Sequence, residues 1–403
     1  MKAKILSLLR QLDDFVHENF GPIRVTFYVM NDFGLTCQLP LIKKMVVDTR
    51  FKVTVTSREP IALDEQLDAG FLQKYCVSYS HASWLKAHYV IYTDVPDLYL
   101  RRNHISISTS HGAAFGNNDY CEKSSCHPDF DIIFGPSQKL KEKIEIYQPG
   151  TISNDSKLFF STGFMKCDAL FGNTFDDERL LAEHALDPSK KTILIASHWT
   201  TNSILRTLGV ELARNICETH PNINVIQTAH DKLWSNPNSD GVEHETTEPF
   251  RSDILINQLK NLEVQHANFR FIPTSQIQPL LSVADIFITD LSSVIIEYCA
   301  FNRPVLFYNP PSISFSDPHT YDLYKNASDS FTHITEVGEL VEFNLETPEN
   351  NRVGRKELID YFLDHQGTAT NTTIDIIKKM GRMSSRNSKR WKAAIKFSNR
   401  GPE

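Results

Sequence analysis

The chain of 403 residues has no run approaching the ~20 uninterrupted apolar residues that a membrane-spanning helix requires. Its opening, Met1 to Phe20, lacks the apolar core and small-residue cleavage site of a secretory leader, because Lys2, Lys4, Arg10, Asp13 and Asp14 interrupt the leucines. Cysteine is sparse and odd in number. The seven residues (Cys37, Cys76, Cys121, Cys126, Cys167, Cys217 and Cys299) show no disulfide-framework spacing, which suits reduced thiols and a cytoplasmic location. Neither Gly-x-Gly-x-x-Gly nor a Walker loop is present, so NAD and ATP lose ground. Metal-ligand sets are incomplete as well: Cys121, Cys126 and His127 have no second ligand pair at zinc spacing, and Asp129-Phe130-Asp131 leads into a strand rather than closing one. No cofactor and no divalent metal are therefore expected.

Acid is missing from one stretch. Ile376 to Pro402 carries nine Lys or Arg and no Asp or Glu, in a chain whose formal net charge is -7. Its cations alternate with Met380, Met383, Trp391, Ile395 and Phe397, a composition that suits an anionic lipid surface; the alternative is a solvated tail. Nucleic acid is not an expected partner, since no reading module accompanies the acidic body.

What is present is a two-domain rhythm. The length exceeds what one hydrophobic core usually fills. After an amphipathic opening helix, with Ile5, Leu8, Leu9, Leu12, Phe15 and Val16 at helical spacing, strands are expected at Ile23–Met30, Phe51–Thr56, His88–Tyr92, Ile105–Thr109, Asp131–Phe134 and Leu158–Gly163. A second set follows at Thr192–Ala196, Asn224–Thr228, Phe269–Pro273, Ile286–Thr289 and Pro304–Tyr308, with intervening helices that include Ser203–Glu218 and Ser293–Phe301. Alternating strands and helices predict an α/β fold with two parallel sheets. The expected domains are residues 1–185, 186–375 and a basic tail, 376–403, with ligands bound in a cleft where the carboxyl ends of the strands meet.

The most informative passage runs from Ala284 to Tyr298 and continues through Asn302-Arg303-Pro304-Val305-Leu306-Phe307-Tyr308. An apolar strand ends at Thr289-Asp290, and Ser292 and Ser293 open the next helix, where free backbone N–H groups and hydroxyls suit a diphosphate. The plainer alternative is that Asp290 or Ser292 caps the helix. Two further features stand at strand ends: His111-Gly112 after Ile107-Ser108-Thr109-Ser110, and His230 after Val225-Ile226-Gln227-Thr228-Ala229.

Together these passages resemble the CDP-glycerol glycerophosphotransferases of teichoic acid synthesis, GT-B enzymes that include capsule polymerases. The resemblance extends roughly from Ile105 to Pro310. It implies a GT-B fold with two Rossmann-like domains facing an interdomain cleft. It also implies transfer of glycerol phosphate or ribitol phosphate from a CDP-alditol donor to a polysaccharide or lipid-linked acceptor at the inner face of the cell membrane. By the same resemblance, His111 and His230 are the catalytic candidates, His111 as general base and His230 on the donor phosphates. Gly112, Ser197, His198, Thr289, Asp290, Ser292, Ser293 and Glu297 are the donor-binding candidates. His198 has a plainer alternative as a helix-capping neighbour of Thr200 and Thr201.

The chain departs from the family pattern in three places. Ala113-Ala114-Phe115 stands where a polar, lysine-containing stretch is usual, Asp231 where proline is usual, and Ser197-His198-Trp199 where a Pro-Thr-Trp-Arg-like segment is usual. Asp168 matches an acidic family position and is expected to serve structure between the domains. Two other functions fit the same layout: a nucleotide-sugar glycosyltransferase or UDP-sugar 2-epimerase, and an inactive membrane-associated scaffold.

Overall fold

The computed structural model describes residues 2–57, 69–94, 100, 103–115, 130–152, 157–172, 174–230, 233, 252–383 and 385–398. Cys121, Cys126, His127, Asp129 and Asp231 lie outside these. None of the five described cysteines takes part in a disulfide.

Short runs rich in Ile, Val and Phe make strands buried on both faces, as parallel sheets covered by helices demand. In the first unit these are β1 (Ile23–Tyr28), β2 (Phe51–Thr56), β3 (Tyr89–Tyr92), β4 (Ile105–Ser108), β5 (Ile132–Gly135) and β6 (Leu158–Ser161). They pair in parallel in the order β2-β1-β3-β4-β5-β6. The second unit holds β7 (Thr192–Ser197), β8 (Asn224–Ala229), β9 (Phe269–Phe271), β10 (Ile286–Thr289), β11 (Val305–Tyr308) and β12 (Asp329–Phe331), in the order β12-β11-β10-β7-β8-β9. In each sheet the chain starts at an inner strand, winds one way and returns to wind the other. That reversal creates a switch point between β1 and β3, and another between β7 and β10.

The two compact units are Met1–Ala113 with Cys121–Asp168 and Leu363–Glu403, and Ala114–Tyr120 with Ala169–Phe362. The C-terminal segment thus belongs to the first unit rather than standing as a separate tail. Helix Ala369–Met380 buries Ile374, Ile377 and Met380, and helix Lys389–Ser398 buries Trp391 and Ala394, all in the core that β1 to β6 build. Phe397 stacks on Phe160 at 5.2 Å. The apolar residues that suggested a lipid-facing tail are therefore committed to protein, while Lys389, Arg390, Lys392 and Lys396 remain exposed.

The segment is also clamped by polar contacts. Tyr89 Oη donates to Gly381 O at 2.7 Å, and Arg386 pairs with Asp131, whose carboxylate accepts from Ser106 N at 2.7 Å and Ser106 Oγ at 2.9 Å. Asp168 receives Ala369 N and Thr370 N at 2.9 and 2.8 Å, which caps a helix inside the first unit. Gly163 sits beside it with φ +78, where a Cβ would fall 2.4 Å from Asp364 O.

One expected helix is interrupted. Ser203–Glu218 is Ile204–Thr207 followed by Glu211–Thr219, because Gly209 adopts φ +60 between them. Likewise Ser293–Phe301 is an α-helix over Val294–Tyr298 that tightens into a 3₁₀ turn over Cys299–Phe301.

Candidate functional site

In the second unit, β10, β7 and β8 are neighbours, and their carboxyl ends deliver most of the sequence-predicted residues. The register pairs Thr289 with Ala196 and Ser197 with Ala229. The next residues of β7 and β8 are His198 and His230, so the two rings meet, with centroids 5.6 Å apart and planes at 72°. Trp199 joins them, 5.4 Å from His198 and 6.4 Å from His230. Thr200 N donates to His198 Nδ1 at 3.4 Å, which leaves Nε2 as the nitrogen carrying the proton in the neutral ring.

Asp290 organises this edge from below. Its side chain is fully buried; Oδ1 accepts from His198 N at 2.9 Å, and Oδ2 accepts from Ser197 Oγ at 2.9 Å and Ile204 N at 2.8 Å. The carboxylate therefore ties the loop between β7 and the next helix to the end of β10. Burial pushes its pKa up to about 6, against the lowering effect of the Ile204, His198 and Ser197 hydrogen bonds.

Several donor-binding candidates turn inward. Ser197 Oγ accepts from Leu205 N at 3.1 Å in addition to bonding Asp290. Thr289 Oγ1 donates to Ala196 O at 3.1 Å, and Glu297 accepts from Gln278 Nε2 at 3.0 Å. All three are buried, so in this arrangement they support the edge rather than face a ligand. Ser292 is nearly buried too, and its Oγ accepts from Val294 N at 3.3 Å. Ser293 precedes the helix Val294–Tyr298 with no side-chain cap hydrogen bond, half-exposed beside the switch point between β7 and β10.

The first unit holds the other predicted catalytic residue. After β4, Ser110 takes a left-handed turn at φ 59, and His111 follows. Its Nδ1 faces Asp94 Oδ2 at 3.5 Å, and its ring meets Phe33 edge-on at 6.2 Å. Cys37 Sγ donates to His111 O at 3.6 Å, while the Lys166 ammonium lies 5.0 Å from the Phe33 ring centre. Asp94 follows β3 and Phe33 follows β1, so this cluster occupies the carboxyl edge of adjacent strands. Gly112 is half-buried next to His111. Beyond it Ala113 and Phe115 are buried, and Phe115 packs on Phe362 at 4.7 Å, which accounts for the apolar residues found in place of a polar stretch.

Sequence reasoning missed Asp94, Phe33 and Trp199 as members of these clusters. Trp199 carried a signal, its position beside His198; the other two belong to no motif. Among the described residues no group of three His, Cys, Asp or Glu is placed to hold a metal ion.

The family model described as CDP-Glycerol:Poly(glycerophosphate) glycerophosphotransferase matches residues 83–329, an interval that includes Asp94, His111, His198, His230 and Asp290 to Ser293. No curated protein matches the chain. Among solved structures, a variant of the wall teichoic acid polymerase TagF is similar over 94% of this chain and 98% of that chain, with 16% identity and a TM-score of 0.61. The same polymerase soaked with CDPG gives 17% identity, coverage of 94% and 97%, and a TM-score of 0.62. A putative UDP-N-acetylglucosamine 2-epimerase from Listeria monocytogenes gives 13% identity, coverage of 89% and 96%, and a TM-score of 0.60. These likenesses identify the architecture as GT-B.

Proposed function

Because the chain belongs to the CDP-glycerol:poly(glycerophosphate) glycerophosphotransferase family, we propose that it moves glycerol phosphate or ribitol phosphate from a CDP-linked donor to a polymer or lipid-linked acceptor. The product is a teichoic-acid-like or capsular polymer, made at the cytoplasmic face of an anionic membrane. The acceptor hydroxyl oxygen attacks the alditol-side phosphorus, the bond from that phosphorus to the bridging oxygen breaks, and CMP departs. His111 Nε2 takes the hydroxyl proton, because Nδ1 is turned toward Asp94. His230, His198 Nε2 and the half-exposed Ser293 with its neighbouring amides receive the donor phosphates. Gly112 lets the acceptor approach close to His111. No divalent metal takes part in this reading, so CMP release persists in the presence of a chelator.

The observation that carries the reading is the apposition of His198 and His230 at the ends of β7 and β8, beside the loop that Asp290 ties to β10 across the switch point, where open α/β sheets bind ligands. CMP release from CDP-glycerol is the direct test. His111→Ala lowers kcat by roughly 100-fold or more, the usual worth of a general base, while CDP binding stays near the wild-type level. Unchanged turnover in that variant removes His111 from the mechanism.

A further inference from the structure

A helix on a protein surface ordinarily turns its apolar stripe inward and its charges outward. The N-terminal helix, Lys2–Asn19, does the reverse over its described side chains, Leu9 and Gln11 to Asn19. Its inward side is polar: Lys86 Nζ lies 3.0 Å from Asp14 Oδ1, and His88 Nε2 hydrogen-bonds His17 O at 2.8 Å. On the opposite side Leu9, Leu12, Phe15 and Val16 are 56%, 60%, 60% and 41% exposed, and Phe20 just beyond is 63% exposed. At about 100° per residue these positions share one stripe, pointing away from the protein. Trp84, two residues from Lys86, is 58% exposed and adds an aromatic of the kind enriched at membrane interfaces.

Cations gather at the C-terminal end of this helix. Arg382 Nε donates to Gly21 O at 2.6 Å, which brings the basic C-terminal segment to the end of the helix. The Arg390 guanidinium lies against Gly381 next to it. Helix Lys389–Ser398 keeps Trp391 and Ala394 inside and exposes Lys389, Arg390, Lys392 and Lys396. A second copy of the chain would bring the same cations to the contact, whereas an anionic lipid surface complements them and takes up apolar side chains.

We propose that the N-terminal helix lies in the surface of an anionic membrane, its Leu9-Leu12-Phe15-Val16 stripe among the acyl chains, with the cations of helix Lys389–Ser398 at the headgroups. This deepens the membrane location given under the proposed function and is independent of the transfer chemistry. The test uses the full chain with vesicles of phosphatidylcholine alone or mixed with phosphatidylglycerol, scored by cosedimentation, beside CMP release from CDP-glycerol with a soluble acceptor. Wild type binds the anionic vesicles. Leu12→Asp with Phe15→Asp lowers the bound fraction by roughly tenfold or more, and Lys392→Gln with Lys396→Gln weakens binding to anionic vesicles only, while CMP release is unchanged in both. The stripe is exposed, so the melting midpoint holds; Leu12→Gln with Phe15→Gln repeats the test if the aspartates shift it. Vesicle binding that survives both apolar pairs overturns the proposal. So does a wild-type dimer that ignores vesicles and becomes monomeric in the double variant, since the stripe then belongs to a second copy. Absence of CMP release in wild type with intact vesicle binding sinks the transfer reading alone.

Discussion

Asp290 is a carboxylate withdrawn from water and held by three donors, and that combination decides how it acts. An amide in its place keeps one acceptor oxygen and turns an NH₂ toward groups that themselves donate. Asp290→Asn is therefore expected to lower stability by about 1–3 kcal/mol and to raise the KM for CDP-glycerol by roughly tenfold, because the loop carrying His198 loses its anchor. An unchanged KM at full folding would separate the loop from donor binding. His88 makes a second residue-scale prediction. Its Nδ1 accepts from Arg24 N at 2.8 Å and burial holds its pKa down to about 4, so it stays neutral in the folded protein. The unfolded chain binds the proton more readily, so this stability is fully present above the ordinary histidine value of 6.5 and is lost as pH falls toward about 4. The loss is on the order of 3 kcal/mol. Asp290 titrates with the opposite sign, since its raised pKa makes the folded protein more stable below the ordinary carboxylate range and less so as pH rises through about 6. Comparing urea unfolding of wild type and His88→Asn between pH 7 and 4.5 isolates His88; equal slopes would refute its role.

At the scale of elements, the strands were legible because buried parallel strands announce themselves as short apolar runs between turn signals. Ends were less legible: Ile286–Thr289 emerged intact, whereas the helix expected over Ser203–Glu218 is divided by the left-handed Gly209. The C-terminal segment was misjudged for a physical reason. Nine cations dominate its composition, yet Ile377, Met380, Trp391 and Ala394 supply an inward face that only the first sheet reveals. Trp391→Ala should cost about 3–5 kcal/mol in urea unfolding, as deletion of a buried aromatic does. A solvated tail would register within about 0.5 kcal/mol, and that outcome would contradict the packing described. The N-terminal helix shows the complementary limit. Its amphipathic pattern was plain, but which face looks outward was set by the partners Lys86 and His88 rather than by the pattern.

For the whole molecule, the GT-B class and the family followed from Asp290-Leu291-Ser292-Ser293 and the two strand-end histidines, His111 and His230. What the sequence did not display was the meeting of His198 with His230, since the register of β7 against β8 exists only in the folded sheet. Because a putative UDP-N-acetylglucosamine 2-epimerase is similar in architecture, the fold alone does not select the nucleotide. CDP is expected to raise the melting temperature more than UDP, GDP or ADP, equivalent to about 2.7 kcal/mol at a hundred times its Kd. Preference for UDP would move the assignment to a glycosyltransferase or 2-epimerase.

The first unit draws on both ends of the polypeptide, while the second is nearly continuous. During synthesis, β7 to β12 have all left the ribosome before Trp391 exists, so the earlier-made sheet must wait, its core open, for the later one to be finished. Premature termination just after Phe362 would accordingly yield a second unit with its whole chain and a first unit left unfinished, with hydrophobic surface on display, a natural client for chaperones.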